Sequence, residues 1–262
     1  MKIKINQIII ACLLLFTIQL ANAQNARFAT QGTIEFEKRV NMYALIKQEI
    51  KKYPNSSYYP RMFEEYQKTQ PQFKTLKSVL TFSKDQTLFK PEEVNLAQSN
   101  NYWGDYPAAQ QNNTILTNTA AGTSTSQKKV YEETYLVKDS TRKINWKITN
   151  EMRNIAGYDC RRANAVIMDS IYVVAFYTEE IPVSGGPESF TGLPGMILGV
   201  ALPYEHTTWF ATAVTDQPVT DDKMKVPTKG KPLNATQLMT TLKAALKDWG
   251  DYAKEYLKAF AL

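Results

Sequence analysis

Cys160 and His206 are the residues of this chain whose types could do chemistry as a pair. His206 is the one histidine in 262 residues, which excludes zinc sites built on two or three imidazoles and any multi-histidine centre. It follows Glu205 in a polar turn ahead of a strand, the usual setting of a surface histidine. Cys160 lies inside an alternating apolar segment, where a free thiol is ordinarily buried, and its neighbours Asp159 and Arg161 point to the other face. A nucleophilic pair needs the fold to bring the two together. Ser184-Gly185-Gly186 lacks the strand-to-helix elbow of a serine hydrolase, and there is no phosphate loop or dinucleotide fingerprint. Glu132-Glu133, Glu179-Glu180 and Asp221-Asp222 are adjacent in sequence, and nothing in their spacing points them into a cleft. The sequence thus names no catalytic residue, no cofactor and no metal ligand, and favours a binding protein over an enzyme. A hydrolase using Cys160 and His206 is the weaker alternative.

Two other stretches stand out. Asn101 to Tyr106 is an aromatic knot in polar surroundings, and Tyr102, Trp103 and Tyr106, with Trp209 and Phe210, are candidates to line a site for an apolar ligand or peptide. From Ala175 to Val200 the chain runs from an apolar strand through two turns into a second apolar run. Pro182 removes a backbone donor, Gly185-Gly186-Pro187 is expected to permit positive φ, and Gly192-Leu193-Pro194-Gly195 to form a type II turn with positive φ at Gly195. This corner (Pro182, Gly185, Gly186, Pro187, Gly192, Leu193, Pro194 and Gly195) is foremost architecture and secondly a docking surface.

IAGYDCRRANAV (155–166), AFYTEEIPVSGGPESF (175–190) and GLPGMIL (192–198) resemble the GLPGLI family of Bacteroidota, with Met196 in place of Leu, a swap that conserves volume. The resemblance covers about Trp146 to Val200. It implies an exported β-rich protein and carries over no catalytic residue.

Lys2 and Lys4, the apolar run Ile8 to Leu20 and Ala21-Asn22-Ala23 read as a signal peptide, residues 1–23, cleaved after Ala23. Processing as a lipoprotein at Cys12 is the less favoured alternative, because it leaves Leu13 to Phe16 on the mature protein. The expectation is export to the periplasm or the outer-membrane periphery. Removing two lysines and no acids lowers the formal net charge from +6 to +4. The basic residues are interleaved with acids, which argues against nucleic acid as a partner. Cys160 is then alone, so no internal disulfide forms, and no later run is long and apolar enough to be a transmembrane segment.

Alternation predicts a strand over Thr33–Val40, with Ile34, Phe36 and Val40 on one face. Helical spacing follows over Met42–Lys52 and a short aromatic helix over Tyr58–Tyr66, together a helical insertion. Lys77–Phe89 reads as a hairpin. Pro91–Gln127 is too polar to offset the entropy of ordering and is expected to be a long loop. Strands are expected over Val130–Val137, Ile144–Thr149, Tyr158–Met168, Ile171–Thr178 and Thr207–Val214, joined by short turns as in a meander. Asn234 caps an amphipathic helix that Gly250 can bend.

The reading is a β-rich α+β fold: one curved antiparallel sheet, half-barrel in outline like the periplasmic lipoprotein carriers. Residues 24–232 form the β-rich domain, with the loop 91–127, and residues 233–262 a C-terminal helix beside the sheet. The expected partner is an apolar ligand, or an outer-membrane protein such as a TonB-dependent transporter or a secretion component to which the chain is an accessory subunit.

Overall fold

The computed structural model describes residues 28–92, 103–104, 106–250 and 252–262. The expected signal peptide, residues 1–23, and Tyr102 lie outside the described residues. Twelve strands form one open sheet: β1 (Gln31–Asn41), β2 (Phe73–Ser83), β3 (Gln86–Pro91), β4 (Asn113–Asn118), β5 (Thr123–Val130), β6 (Glu133–Ser140), β7 (Lys147–Ile155), β8 (Tyr158–Ile167), β9 (Ile171–Thr178), β10 (Met196–Leu202), β11 (Thr207–Asp216) and β12 (Lys231–Leu233). The helices are α1 (Met42–Lys51), α2 (Tyr58–Thr69), α3 (Ala235–Ala245) and α4 (Tyr252–Ala261).

The strand order is β12-β6-β5-β4-β3-β2-β1-β11-β10-β9-β8-β7. It is two antiparallel meanders, β1 to β6 and β7 to β11, joined where β1 pairs with β11. Short hairpins join β2–β3, β4–β5, β5–β6, β7–β8, β8–β9 and β10–β11, because short turns favour neighbouring antiparallel strands. Only β12 is parallel to its neighbour β6. The expected β-rich α+β fold with one antiparallel sheet is therefore the fold observed.

The sheet curls. Lys128 of β5 and Ile171 of β9 line one cavity, yet seven strand spacings separate them in sheet order, roughly 34 Å if the sheet were flat. The concave face holds the main core, in which Ile34, Phe36, Leu80, Phe82 and Phe89 meet Val173, Ala175, Tyr177, Ile197 and Val200. Burying each such side chain contributes about 1.5–3 kcal/mol. The Gly/Pro corner folds into this concavity with Ile181, Val183, Phe190 and Leu193 buried. A second cluster packs α1 and α2 against Trp103 and Tyr106. A third packs α3 against β5 and β6 through Leu238, Leu242, Val130 and Val137.

Four expectations need correction. Residues 91–127 are not one loop, because 113–118 and 123–130 are strands β4 and β5. Their threonines and serines suit strands when a neighbouring ladder satisfies the backbone, and Ile115 and Leu116 anchor the pair in the core. The strand expected over Val130–Val137 begins at Glu133, with Val130 ending β5 and a two-residue turn between them in which Tyr131 has φ 56°. The strand expected over Ile144–Thr149 begins at Lys147, and Trp146 instead donates from Nε1 to the Thr191 carbonyl at 2.9 Å. The C-terminal helix is two helices. Asn234 caps the first reciprocally with Gln237, and Gly250, at φ 56° and ψ −133°, ends the helical path before α4.

Candidate functional site

Strand β1 carries Ile34, Phe36, Lys38 and Val40 on its inward face, all buried. Three are apolar and one is a lysine. On β5, Ser126, Lys128 and Val130 repeat that pattern. A pleat that sends every second side chain inward therefore delivers two ammonium groups to the concave face. Both lysines line a cavity of about 70 Å³ with Glu188 of the Gly/Pro corner, Trp209 of β11, Tyr106, His206, and Lys258 and Phe260 of α4.

Each ammonium donates to a backbone carbonyl, Lys38 to Gln110 at 2.5 Å and Lys128 to Phe260 at 3.1 Å. Lys38 also lies 4.9 Å from the centroid of the Trp209 ring, a favourable cation–π distance. Desolvation by burial pushes both lysines down to about 8, against the opposing pull of the Glu188 carboxylate. The Glu188 carboxylate accepts from the Asn113 amide at 3.0 Å. Trp209 is buried, and its indole Nε1 has no hydrogen-bond partner among the described residues.

Glu49, Glu205 and Glu255 also line the cavity, and Lys258 lies 3.8 Å from Glu255. Tyr106 donates to Glu49 at 3.1 Å, and Lys52 reaches the same carboxylate oxygen at 2.7 Å. Burial, and then the Glu49 charge, hold the Tyr106 phenol protonated far above its ordinary range. Glu205 is raised by burial and lowered by Lys258, whose ammonium is 3.9 Å away.

The C-terminal end of α4 closes the concavity. Helix ends leave carbonyls without intrahelical donors, and here three elements supply them. Lys128 bonds the Phe260 carbonyl, Arg142 the Ala261 carbonyl, and Ser189 the Leu262 carbonyl at 3.1 Å. Positive charge at this end also complements the helix dipole.

The residues expected to line a ligand site are divided. Tyr106 and Trp209 line the cavity. Trp103 packs among α1 and α2 and contributes to a separate surface groove with Tyr58 and Met62. Phe210 faces the opposite side of the sheet, where Arg153 sits 4.5 Å from its ring and Phe176 is its neighbour; strand alternation forces this beside an inward Trp209. Cys160 is fully buried, and burial pushes its thiol up to about 12. His206 lines the cavity and Cys160 does not.

The corner is mostly interior. Pro182, Gly192 and Pro194 are exposed, while Gly185, Gly186, Pro187, Leu193 and Gly195 are buried. The expected positive φ falls at Gly192 (95°) and Glu188 (51°), and not at Gly185, Gly186 or Gly195. Gly195 is required for close approach, since a Cβ there would lie 2.0 Å from the Thr178 carbonyl oxygen. Ile197 N–H bonds the Gly185 carbonyl at 2.8 Å, which ties the corner to the start of β10.

Sequence reasoning missed Lys38, Lys128 and Glu188. The signal was present for the lysines, because each falls in phase with the buried apolar residues of its own strand. Glu188 gave none, since its position depends on how the corner folds inward.

Comparison with known proteins adds the following. A family model described as a protein of unknown function, Porph_ging, matches residues 165–199, which span β9, the corner and the start of β10. No curated protein matches the sequence. Two solved structures of PNGF-II, in its C2 and P21 crystal forms, share the fold with a TM-score of 0.50 each, at 14% and 16% identity. They match 79% and 81% of this chain. The chain spans about a third of the length of those structures, 31% and 33%. The short family match coincides with the segment that carries the GLPGLI resemblance, and the fold it sits in is one that PNGF-II also contains.

Proposed function

We propose that this chain is an exported, non-catalytic binding protein of the GLPGLI type, acting in the periplasm or at the outer-membrane periphery, and that the concave cavity is its binding site. The observation that carries this reading is the convergence of side chains from β1, β5, β11, α4 and the corner on one cavity that includes two buried lysines. Buried ammonium groups destabilise a fold, and a binding role accounts for their being there. The cavity also narrows the ligand: about 70 Å³ suits a small molecule and is too little for an acyl chain.

Native mass spectrometry of the protein purified from its own host tests this. A small-molecule adduct that is absent from Lys38→Met supports the cavity as the site. An adduct retained in that variant contradicts it.

A second reading, the accessory subunit of an outer-membrane transporter or secretion complex, is favoured by the edge strand β7. It ends the sheet with Ile148 and Met152 exposed. The other edge is the three-residue β12, which contains Pro232, a blunted edge that resists pairing. Strand addition by a partner at β7 fits that asymmetry. Cross-linking from β7 in native membranes tests it, and recovery of uncross-linked protein alone counts against it.

A further inference from the structure

We infer that α4 is a hinged lid, which swings away from the concave face about Gly250 while the sheet stays folded and so opens the cavity. The inference rests on the cavity being the binding site and assigns the element that admits the ligand. Five lining residues, Glu255, Lys258, Ala259, Phe260 and Leu262, belong to α4 or directly follow it. No described residue of α4 is buried, whereas α1, α2 and α3 each anchor themselves with two or more buried side chains. α4 instead touches all three clusters lightly, through Tyr256, through Leu257 and Phe260, and with the adjoining Leu262, each only half-buried. An element with so little buried apolar surface opens at a lower free energy than the sheet beneath it.

Hinge and latch stand at opposite ends of the helix. Gly250, just ahead of α4, has φ 56° and ψ −133°, and no described atom outside the adjacent residues lies within 4 Å of a Cβ built there. The backbone conformation alone calls for glycine, and the joint is free of packing. At the far end the last three carbonyls are held by Lys128 of β5, Arg142 after β6 and Ser189 of the corner. Closing the lid on these groups has a cost. Burial pushes the Lys128 ammonium down to about 8 and holds the Arg142 guanidinium below its ordinary range. Arg142 Nη1 is buried without a hydrogen-bond partner among the described residues. Lifting the helix returns both cations to water, which offsets part of the hydrogen bonding lost.

The test places a thiol under the lid by Thr207→Cys, a change of similar volume at a cavity-lining residue that is 3% exposed. The full chain is labelled with a fluorescein maleimide, which a space of about 70 Å³ does not admit, and modification is read peptide by peptide. Cys160, fully buried and not a lining residue of the cavity, reports unfolding of the sheet in the same molecule. The introduced thiol should label at least about tenfold faster than Cys160. Arg142→Met removes one latch and should speed the introduced thiol about tenfold further, as for loss of one charge-assisted hydrogen bond, with Cys160 unchanged. Hydrogen exchange of the unsubstituted protein is the second measurement. A ten-residue helix is not stable alone in water, so the amides of α4 should exchange with the opening, ahead of those of β1 and β11. Equal labelling rates for the two thiols, or exchange of α4 only together with β1, overturns the lid. Fast labelling that Arg142→Met leaves unchanged also overturns it, since the reagent then enters without release of the latch. A lid that opens in a protein that carries no ligand from its host removes the binding reading and leaves the lid standing.

Discussion

Lys38 and Trp209 stand opposite each other across the β1–β11 ladder, with the ammonium 4.9 Å from the centroid of the indole-bearing side chain's ring. This pair sits where the two meanders join, so the strand pairing that unites the sheet also builds one wall of the cavity. A charged group held there against desolvation has measurable consequences.

Lys38→Met and Lys128→Met should each stabilise the protein at neutral pH by about 1–3 kcal/mol, because an apolar side chain of similar length removes a buried cation. The lost bonds to the Gln110 and Phe260 carbonyls moderate the gain. Urea denaturation measures it through the midpoint, and a loss of stability in both variants contradicts the electrostatic account.

Stability should rise as pH increases above about 8. The lysines fall from 10.5 to about 8 on folding, so between those values the unfolded chain binds more protons and raising the pH favours the folded state. Cys160 opposes this from pH 9.0 upward, since its thiol is pushed up to about 12 and the unfolded chain loses that proton first. Thermal unfolding should show an increase between pH 8 and 9 that flattens beyond, and the Lys38→Met/Lys128→Met double variant should lose the increase. A parent protein whose stability is flat or falling over that interval contradicts the assignment.

Gly195→Ala should cost roughly 2–4 kcal/mol, because the new Cβ meets the Thr178 carbonyl oxygen, a backbone atom that cannot move aside. Gly122→Ala provides the contrast. Its φ is 64° with open space around it, so only the left-handed backbone is penalised, by about 1–2 kcal/mol. Equal costs for the two would remove close approach as the reason for glycine at 195.

Cys160 should react with a thiol reagent only as fast as the protein unfolds, being fully buried with its thiolate disfavoured. Stopped-flow labelling with and without urea measures this. Rapid labelling of the folded protein would revive the nucleophile reading.

The sheet was legible in the sequence because its strands alternate apolar and polar residues and its turns are short. Ile34, Phe36 and Val40 announce β1, and Asn234 with Gln237 announces the start of α3. The polar strands β4 and β5 were not legible. Their order comes from the neighbours they pair with, and Ser124, Thr125 and Ser126 carry no burial signal of their own. Of the candidate site, Tyr106 and Trp209 could be picked out as aromatics, while Lys38 and Lys128 are visible only once their phase with buried neighbours is taken at face value. Glu188 reaches the cavity because the corner folds inward, a tertiary fact that no local spacing encodes.

The most direct measurement is the indole N–H resonance of Trp209 in a ¹H–¹⁵N spectrum, assigned among the four tryptophans by Trp209→Phe. The cavity account predicts that this resonance moves on saturation with the small molecule recovered with the protein from its host, because Trp209 lines the cavity, while that of Trp249, which is exposed, stays in place. A saturating ligand that leaves the Trp209 resonance unmoved would contradict it.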